Sequence, residues 1–519
     1  MSTFLSRRAL IWTIGIAMLF GVYVWGLTGN PPGFYVDESG LSYNAYLISK
    51  TGAGEFGARW PLFFQIFTGG FTQYSNPTQI YLLAAVFWLF GPSILAARLA
   101  AAASVFGASL LLGLLAGRVS GKREIGFILG ALALVTPWLF EVSRLALETF
   151  FYPMAVVLFL WSVHMANRKE RWSWLNITAI AFALTLLTYS YTIGRLLGPL
   201  LAFGLISFAF ERKNIFAVVK TWVLYAITLI PLISFGRNNP GLTTRFYLLS
   251  YIKPESSYFE IIYQFIIRFF EDLNPVRMLF TGDTNPRHHI PDALGSIYIG
   301  VFLLALLGSI IIVLHKRYDA WWRLIAFGLA ASVVPGALTV DKFHTLRMIA
   351  FPIFALMLTV PALEWLLNDG ELADDAADED NSSKPVNKNF LTLHTRKLIL
   401  GFVLIFVTFE ASYFHWKYYH EGGKRGYVFD AAYKQLYDEA TAQPNRPIYL
   451  IDNYWGPAYI HSFWYATVEG RSTDEFIHLP YGKPAPAGGV VISTERDCSG
   501  CQMIDRSGDY ILYISTREK

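Results

Sequence analysis

An adjacent pair of acids, Asp37-Glu38, follows the run GFYV and opens an amphipathic stretch, SGLSYNAYLISKTG. A carboxylate so placed can take a proton from an attacking hydroxyl, which is general-base chemistry. The pair equally suits the first turn of a helix, where acids offset the N-terminal partial charge. Further along, VSRLALETFFYP sets Arg144 and Glu148 four residues apart, on one face if the segment is helical. The plain reading of that spacing is a helical ion pair worth about 0.3 kcal/mol. The chemical reading makes Glu148 a second carboxylate and Arg144 a phosphate ligand, since a guanidinium fork grips phosphate well. DKFHTLRMIAFP likewise joins His344 and Arg347, either as interfacial anchors or as phosphate-binding groups.

A fourth segment, DLNPVRMLFTGDTNPRHHIPDALGSIY, combines three X-Pro turn signals with Arg277, Asp283, Arg287, His288 and His289. Turns hold such groups in place, so Asp283, Arg287 and His288 are candidate substrate-binding residues. Neighbouring histidines do not naturally point at one centre, and no HExxH-type spacing occurs. No metal ligands are therefore assigned and no cofactor is required, although a divalent metal remains compatible. Two cysteines, Cys498 and Cys501, exclude a four-thiolate zinc site, and their CSGC spacing fits a small structural disulfide.

The elements that must position these groups are membrane helices. Apolar residues make up 54% of the 519-residue chain and charged ones only 15%, which excludes an ordinary soluble domain. The net charge of +4 needs no nucleic-acid partner, because Lys and Arg cluster between apolar runs as membrane topology requires. Arg7 and Arg8 precede the run Ala9 to Leu27, about 20 residues and long enough to span a bilayer as a retained anchor. The positive-inside rule puts the N-terminus in the cytoplasm and the first loop, residues 28–92, outside.

Gln79 to Phe90 is too short to cross comfortably and reads as an interfacial helix. The second span is then Ser93 to Ala116, which puts Arg118, Lys122 and Arg123 inside. Spans continue at 125–140, 149–166, 173–189, 194–210, 216–235, 294–314, 322–340, 344–367 and 398–413, about eleven in all. This alternation places the first loop, the long loop 236–293 and every candidate residue above on the outer face, and it makes the acidic stretch 368–397 a cytoplasmic linker. Residues 1–416 thus form a polytopic all-α membrane domain. Residues 417–519 form a small extracytoplasmic α/β domain, with a helical pattern at Tyr427 to Ala442 and strand-like runs at Pro447 to Ile451, Gly489 to Ser493 and Tyr510 to Ser515.

In order along the chain, VDESGLSYNAY, LFGPSILAARLAA with Arg98, VSRLALE, a GD-x-N-x-RHH loop and H-T-L-R resemble the GT-C class of membrane glycosyltransferases. Within that class the chain resembles the protein O-mannosyltransferase and aminoarabinose-transferase superfamily. The resemblance implies a multi-pass plasma (inner) membrane enzyme with its C-terminus outside. Such an enzyme would transfer a sugar, with inversion, from a polyprenyl-phosphate donor to an extracytoplasmic acceptor. It further implies Asp37 as general base, with Glu38 supporting it, and Arg98, Arg144 and Arg347 stabilising the departing phosphate. The family more often carries Asp at the position of Glu148. A transporter or flippase for a lipid-linked or small polar substrate is the alternative; it would show paired repeats and broken helices, whereas this chain gathers its charges outside.

Overall fold

The computed structural model describes residues 7–66, 72–210, 214–368, 391–452, 457–480, 482–494 and 501–516. Most of the expected acidic linker and Cys498 lie outside them; Cys501 is disulfide-bonded. The chain forms two compact units. One comprises Met1–Phe106, Ser143–Phe150 and Tyr419–Lys519; the other comprises Gly107–Val142 and Phe151–Tyr418. The C-terminal residues therefore cluster with the first loop, where the sequence suggested a boundary near residue 416.

Apolar helices dominate. Among the described residues, four are long and apolar enough to cross a membrane: Ile94–Ser120, Ile215–Asn238, Ala320–Ala337 and Leu393–Val428; six more apolar helices are shorter. Several expose apolar stripes and bury their polar groups. The helix Ile215–Asn238 turns Phe216, Val219, Val223, Ile227, Ile230 and Ile233 outward while Thr221 and Tyr225 are buried. That inverts the pattern of a water-soluble helix and suits one whose outer face meets hydrocarbon. Close helix packing relies on small residues. A Cβ on Gly113 would lie 2.6 Å from the Gly126 carbonyl oxygen, and one on Gly126 would lie 2.8 Å from that of Gly113. The facing GLLAG and GFILG runs let the two backbones approach.

The expected spans mostly coincide with helices, with differences at their ends. The run 344–367 becomes helical only at Phe351, leaving His344 and Arg347 in the preceding turn. The run 125–140 breaks before Pro137, as a residue preceding proline disfavours the helical region. The short Gln79 to Phe90 run is a helix, Pro77–Phe90, packed on Val36–Thr51.

In the first unit the C-terminal residues build a five-stranded sheet in the order Phe476–Leu479, Ile448–Ile451, Val490–Ser493, Tyr510–Ser515, Cys501–Ser507. The first three strands are parallel and the last two antiparallel. The helix Ala431–Ala442 packs on this sheet, and Tyr459–Glu469 packs along Val36–Thr51. Three of the five strands are the expected apolar runs. Phe476–Leu479 and Cys501–Ser507 lie at the sheet's edges, where polar residues such as His478 and Asp505 mask the strand pattern.

Candidate functional site

The acid pair sits at the head of the helix Val36–Thr51, entered from an extended Tyr35 and closed by a left-handed Gly52. Helical geometry points the two neighbours in different directions, and their surroundings differ completely. Glu38 is wholly buried. Its Oε1 accepts from Arg98 Nε at 3.1 Å and from the Ala146 N–H at 2.9 Å. Its Oε2 accepts from Arg98 Nη2 at 3.0 Å and from the Tyr35 N–H at 3.1 Å. Arg98, equally buried, gives its remaining protons to the carbonyls of Leu27, Pro31 and Gly33. The result is a sealed two-pronged ion pair that ties the first loop to the helix Ile94–Ser120. Arg98 has nothing left to offer a lipid phosphate, which corrects the role expected from sequence.

Asp37 is the opposite case. It is half-buried, and among the described residues its carboxylate takes part in no hydrogen bond or ion pair. It projects from the first turn of a helix whose backbone is fixed on both sides.

Arg144 and Glu148 do not form a helical pair, because residues 143–150 adopt a turn conformation. Arg144 donates to the carbonyls of Tyr23 and Trp25 and to the Tyr419 hydroxyl. It thereby closes the C-terminal end of the helix Arg7–Tyr23, where a cation meets the negative end of the dipole. Glu148 accepts from the Asn76 N–H at 2.8 Å and from the Ser75 hydroxyl, capping the helix Pro77–Phe90. Both residues are buried and committed to helix ends. This geometry does not match the second-carboxylate and phosphate roles expected for them.

Glu55, in the same unit, lies outside every candidate motif. Burial pushes its carboxyl up to about 7, against hydrogen bonds from Tyr459 and Asn44 that pull it down.

The second unit holds the other five candidates. Asp283 accepts from the Asn285 N–H at 2.9 Å, from His288 Nδ1 at 3.0 Å, and from the Thr345 N–H and hydroxyl at 2.8 and 2.9 Å. Burial alone would raise its carboxyl; the hydrogen bond and charge of His288 outweigh that and hold it well below the usual range. His344 lies against His288, with ring centroids 4.5 Å apart. Burial, with His288 and Arg347 nearby, lowers it well below an ordinary histidine. Arg347 pairs with Asp341 at 2.6 Å and donates to Thr339. Arg287 is half-buried, its backbone N–H held by Asn285 Oδ1 at 3.0 Å.

His289, adjacent to His288, faces elsewhere. Its Nδ1 lies 2.6 Å from Glu141 and its Nε2 2.7 Å from the Leu294 carbonyl, as the divergence of neighbouring side chains requires. Asp283, His288 and His344 bring one donor atom each within 4.8 Å of one another, the arrangement among the described residues that fits a divalent cation. Asp283 already receives four protein donors, so this trio also closes without an ion. Beside it opens a cavity of about 370 Å³ lined by Arg277, Asp283, Asn285, Asp341, Lys342 and His344. Arg277 is half-buried and Lys342 exposed, the latter paired with Glu271 at 2.8 Å, so two cations line the cavity.

Residues 75–235 match the family described as dolichyl-phosphate-mannose-protein mannosyltransferase. That stretch includes Arg98, Arg144 and Glu148 and begins after Asp37-Glu38. No curated protein matches the chain by sequence. Among solved structures, ArnT from Cupriavidus metallidurans in the apo state aligns with a TM-score of 0.56 at 13% identity, covering 98% of each chain. The same protein bound to undecaprenyl phosphate aligns equally well, at 12% identity over 97% of this chain and 98% of that one. The chain has a GT-C fold. Archaeal oligosaccharyltransferase AglB from Archaeoglobus fulgidus, in complex with an inhibitory peptide and a dolichol-phosphate, gives a TM-score of 0.47 at 12% identity over 94% of this chain and 70% of that one. The resemblance drawn from the ordered sequence motifs thus agrees with a family segment and with a fold.

Proposed function

We propose that this protein is an inverting glycosyltransferase of the outer membrane face, transferring a sugar from a polyprenyl-phosphate donor to an extracytoplasmic acceptor, with Asp37 as general base. The observation that carries the reading is the contrast within the acid pair. Glu38 is consumed by Arg98, while among the described residues the Asp37 carboxylate has no partner. The matched family segment and the fold favour transfer over transport.

In the proposed step Asp37 takes the proton of the acceptor hydroxyl. The hydroxyl oxygen forms its bond to the anomeric carbon from the face opposite the leaving group. The bond from that carbon to the phosphate oxygen breaks, and polyprenyl phosphate departs with the electron pair. Phosphate is a fair leaving group, so cations can stand in for a general acid. Arg98 and Arg144 are committed elsewhere. Within the second unit, Arg277 and Lys342 line the cavity that Asp283 borders and are the cations we propose for a phosphate group. Polyprenyl phosphate keeps its tail in hydrocarbon, which the outward apolar stripes of the helices suit.

The test is transfer from a radiolabelled polyprenyl-phosphate sugar pool in membranes. Asp37→Asn should abolish it at unchanged protein level. Full transfer by that variant would remove Asp37 from the mechanism.

A further inference from the structure

The C-terminal residues approach the proposed base through one side chain whose conformation its own helix does not explain. Asp430 precedes the helix Ala431–Ala442 in the N-cap position, where an aspartate normally accepts from its own helix. It makes no such bond. Its backbone is left-handed, with φ of 53°, a conformation uncommon for a residue with a side chain and sustained only where surroundings impose it. Its carboxylate instead reaches a different helix. Oδ2 accepts from the Val36 N–H at 3.1 Å, the first N–H of the helix that carries Asp37 one residue later.

Other contacts hold Asp430 in this pose. The Tyr510 hydroxyl donates to Oδ1 at 2.8 Å, and His461 Nε2 lies 3.4 Å from Oδ2. The other ring nitrogen of His461 is 2.9 Å from the Ser39 hydroxyl, one residue beyond Glu38. The order Ser39, His461, Asp430 resembles a hydrolase triad. Ser39 and His461 are fully buried, so no substrate reaches them and these contacts serve as a brace. The approach is tight: a Cβ on Gly33 would lie 2.4 Å from the Phe429 carbonyl oxygen, and Phe34 stacks on Trp464 with centroids 5.4 Å apart.

We infer that Asp430, held by Tyr510 and His461, is a positioning residue for the proposed base Asp37, so that the C-terminal sheet is part of the catalytic apparatus. The inference rests on the reading of Asp37 as the base. The bond to the Val36 N–H fixes the backbone before Asp37 and the His461 contact with the Ser39 hydroxyl fixes the side chain two residues after it, while among the described residues the Asp37 carboxylate is left free. Proton transfer is sensitive to misplacement on the scale of one ångström, so loosening this clamp lowers turnover before it lowers binding.

The experiment compares Asp430→Ala, Asp430→Asn and Tyr510→Phe in membranes, measuring protein level, kcat and donor KM with a radiolabelled polyprenyl-phosphate sugar. Asp430→Ala should lower kcat about tenfold with KM within about twofold. Asp430→Asn, which keeps an acceptor for the Val36 N–H, should restore most of the loss, and Tyr510→Phe should lower kcat about twofold to threefold. If Asp430→Ala does not accumulate, Tyr510→Phe decides. Unchanged kcat in the accumulating variants, or a change in KM alone, overturns the inference. Asp37→Asn run alongside separates the failures: an active Asp37→Asn removes the base itself, whereas an inactive one beside unaffected Asp430 and Tyr510 variants removes only the clamp.

Discussion

The head of the helix Val36–Thr51 and the cavity beside His344 are both rich in charge and use it differently. Around the helix head, among the described residues, the other candidate charged groups have protein partners and Asp37 has none. Arg98 satisfies Glu38, Arg144 closes a helix C-terminus and Glu148 caps a helix N-terminus. Around the cavity, Asp283, Arg347 and Lys342 are each paired, with His288, Asp341 and Glu271, and Arg277 donates to the Lys342 carbonyl. One region leaves a single carboxylate without a partner among the described residues; the other presents several polar groups to a cavity of about 370 Å³. A base needs a defined position and a free lone pair, and a polar head group needs many modest contacts.

The comparison breaks most visibly at the sealed ion pair. Glu38→Ala should leave the Arg98 guanidinium buried and unpaired, at a cost of about 3–5 kcal/mol, so the protein should fall to low levels or melt far earlier in a thermal-shift assay. Glu38→Ala protein as stable as the wild type would mean that Glu38 is not the anchor. A smaller effect belongs to the cavity. Arg277→Ala combined with Lys342→Ala should raise donor KM about tenfold, roughly 1.4 kcal/mol of lost binding, with kcat within about twofold. A fall in kcat alone would move the sugar-phosphate elsewhere.

The smallest effect is on pH dependence. Glu55 is raised by burial from its ordinary 4.5 to about 7. The folded state therefore holds a proton that the unfolded chain gives up above about pH 4.5. Stability from this residue is full below that pH and declines as pH rises through about 7. Glu55→Gln should flatten the difference between melting temperatures at pH 5 and pH 8 by a few degrees, on the order expected for 1 kcal/mol in a large chain. An unchanged difference would show that Glu55 does not titrate in that window.

Much of the helical frame was legible because hydrophobic runs are local. The apolar stretches from Ser93 to Leu367 and the three inner strands of the sheet announce themselves within a single window of sequence. The partners of charged groups do not. Nothing near Glu38 indicates that it pairs with Arg98, sixty positions on, or that Ala146 donates to it. Arg144 and Glu148 misled for the same reason: their spacing suits a helix, yet the turn they occupy is fixed by helix ends elsewhere in the chain. Asp430 is the extreme case, acting on Val36 across 394 positions, and its only local signal is an aspartate before a helix. The sequence pattern finds the acid pair; the folded contacts distinguish the free member from the buried one.

The most direct measurement is a single-turnover comparison of wild-type and Asp37→Asn protein with a radiolabelled polyprenyl-phosphate sugar, with donor binding measured separately on the same preparations. The account predicts donor affinity within about twofold of wild type and a transfer rate lower by about 10²–10⁴, the range for loss of a general base. A variant that transfers at the wild-type rate, or one that loses donor binding while each bound donor still reacts normally, would contradict it.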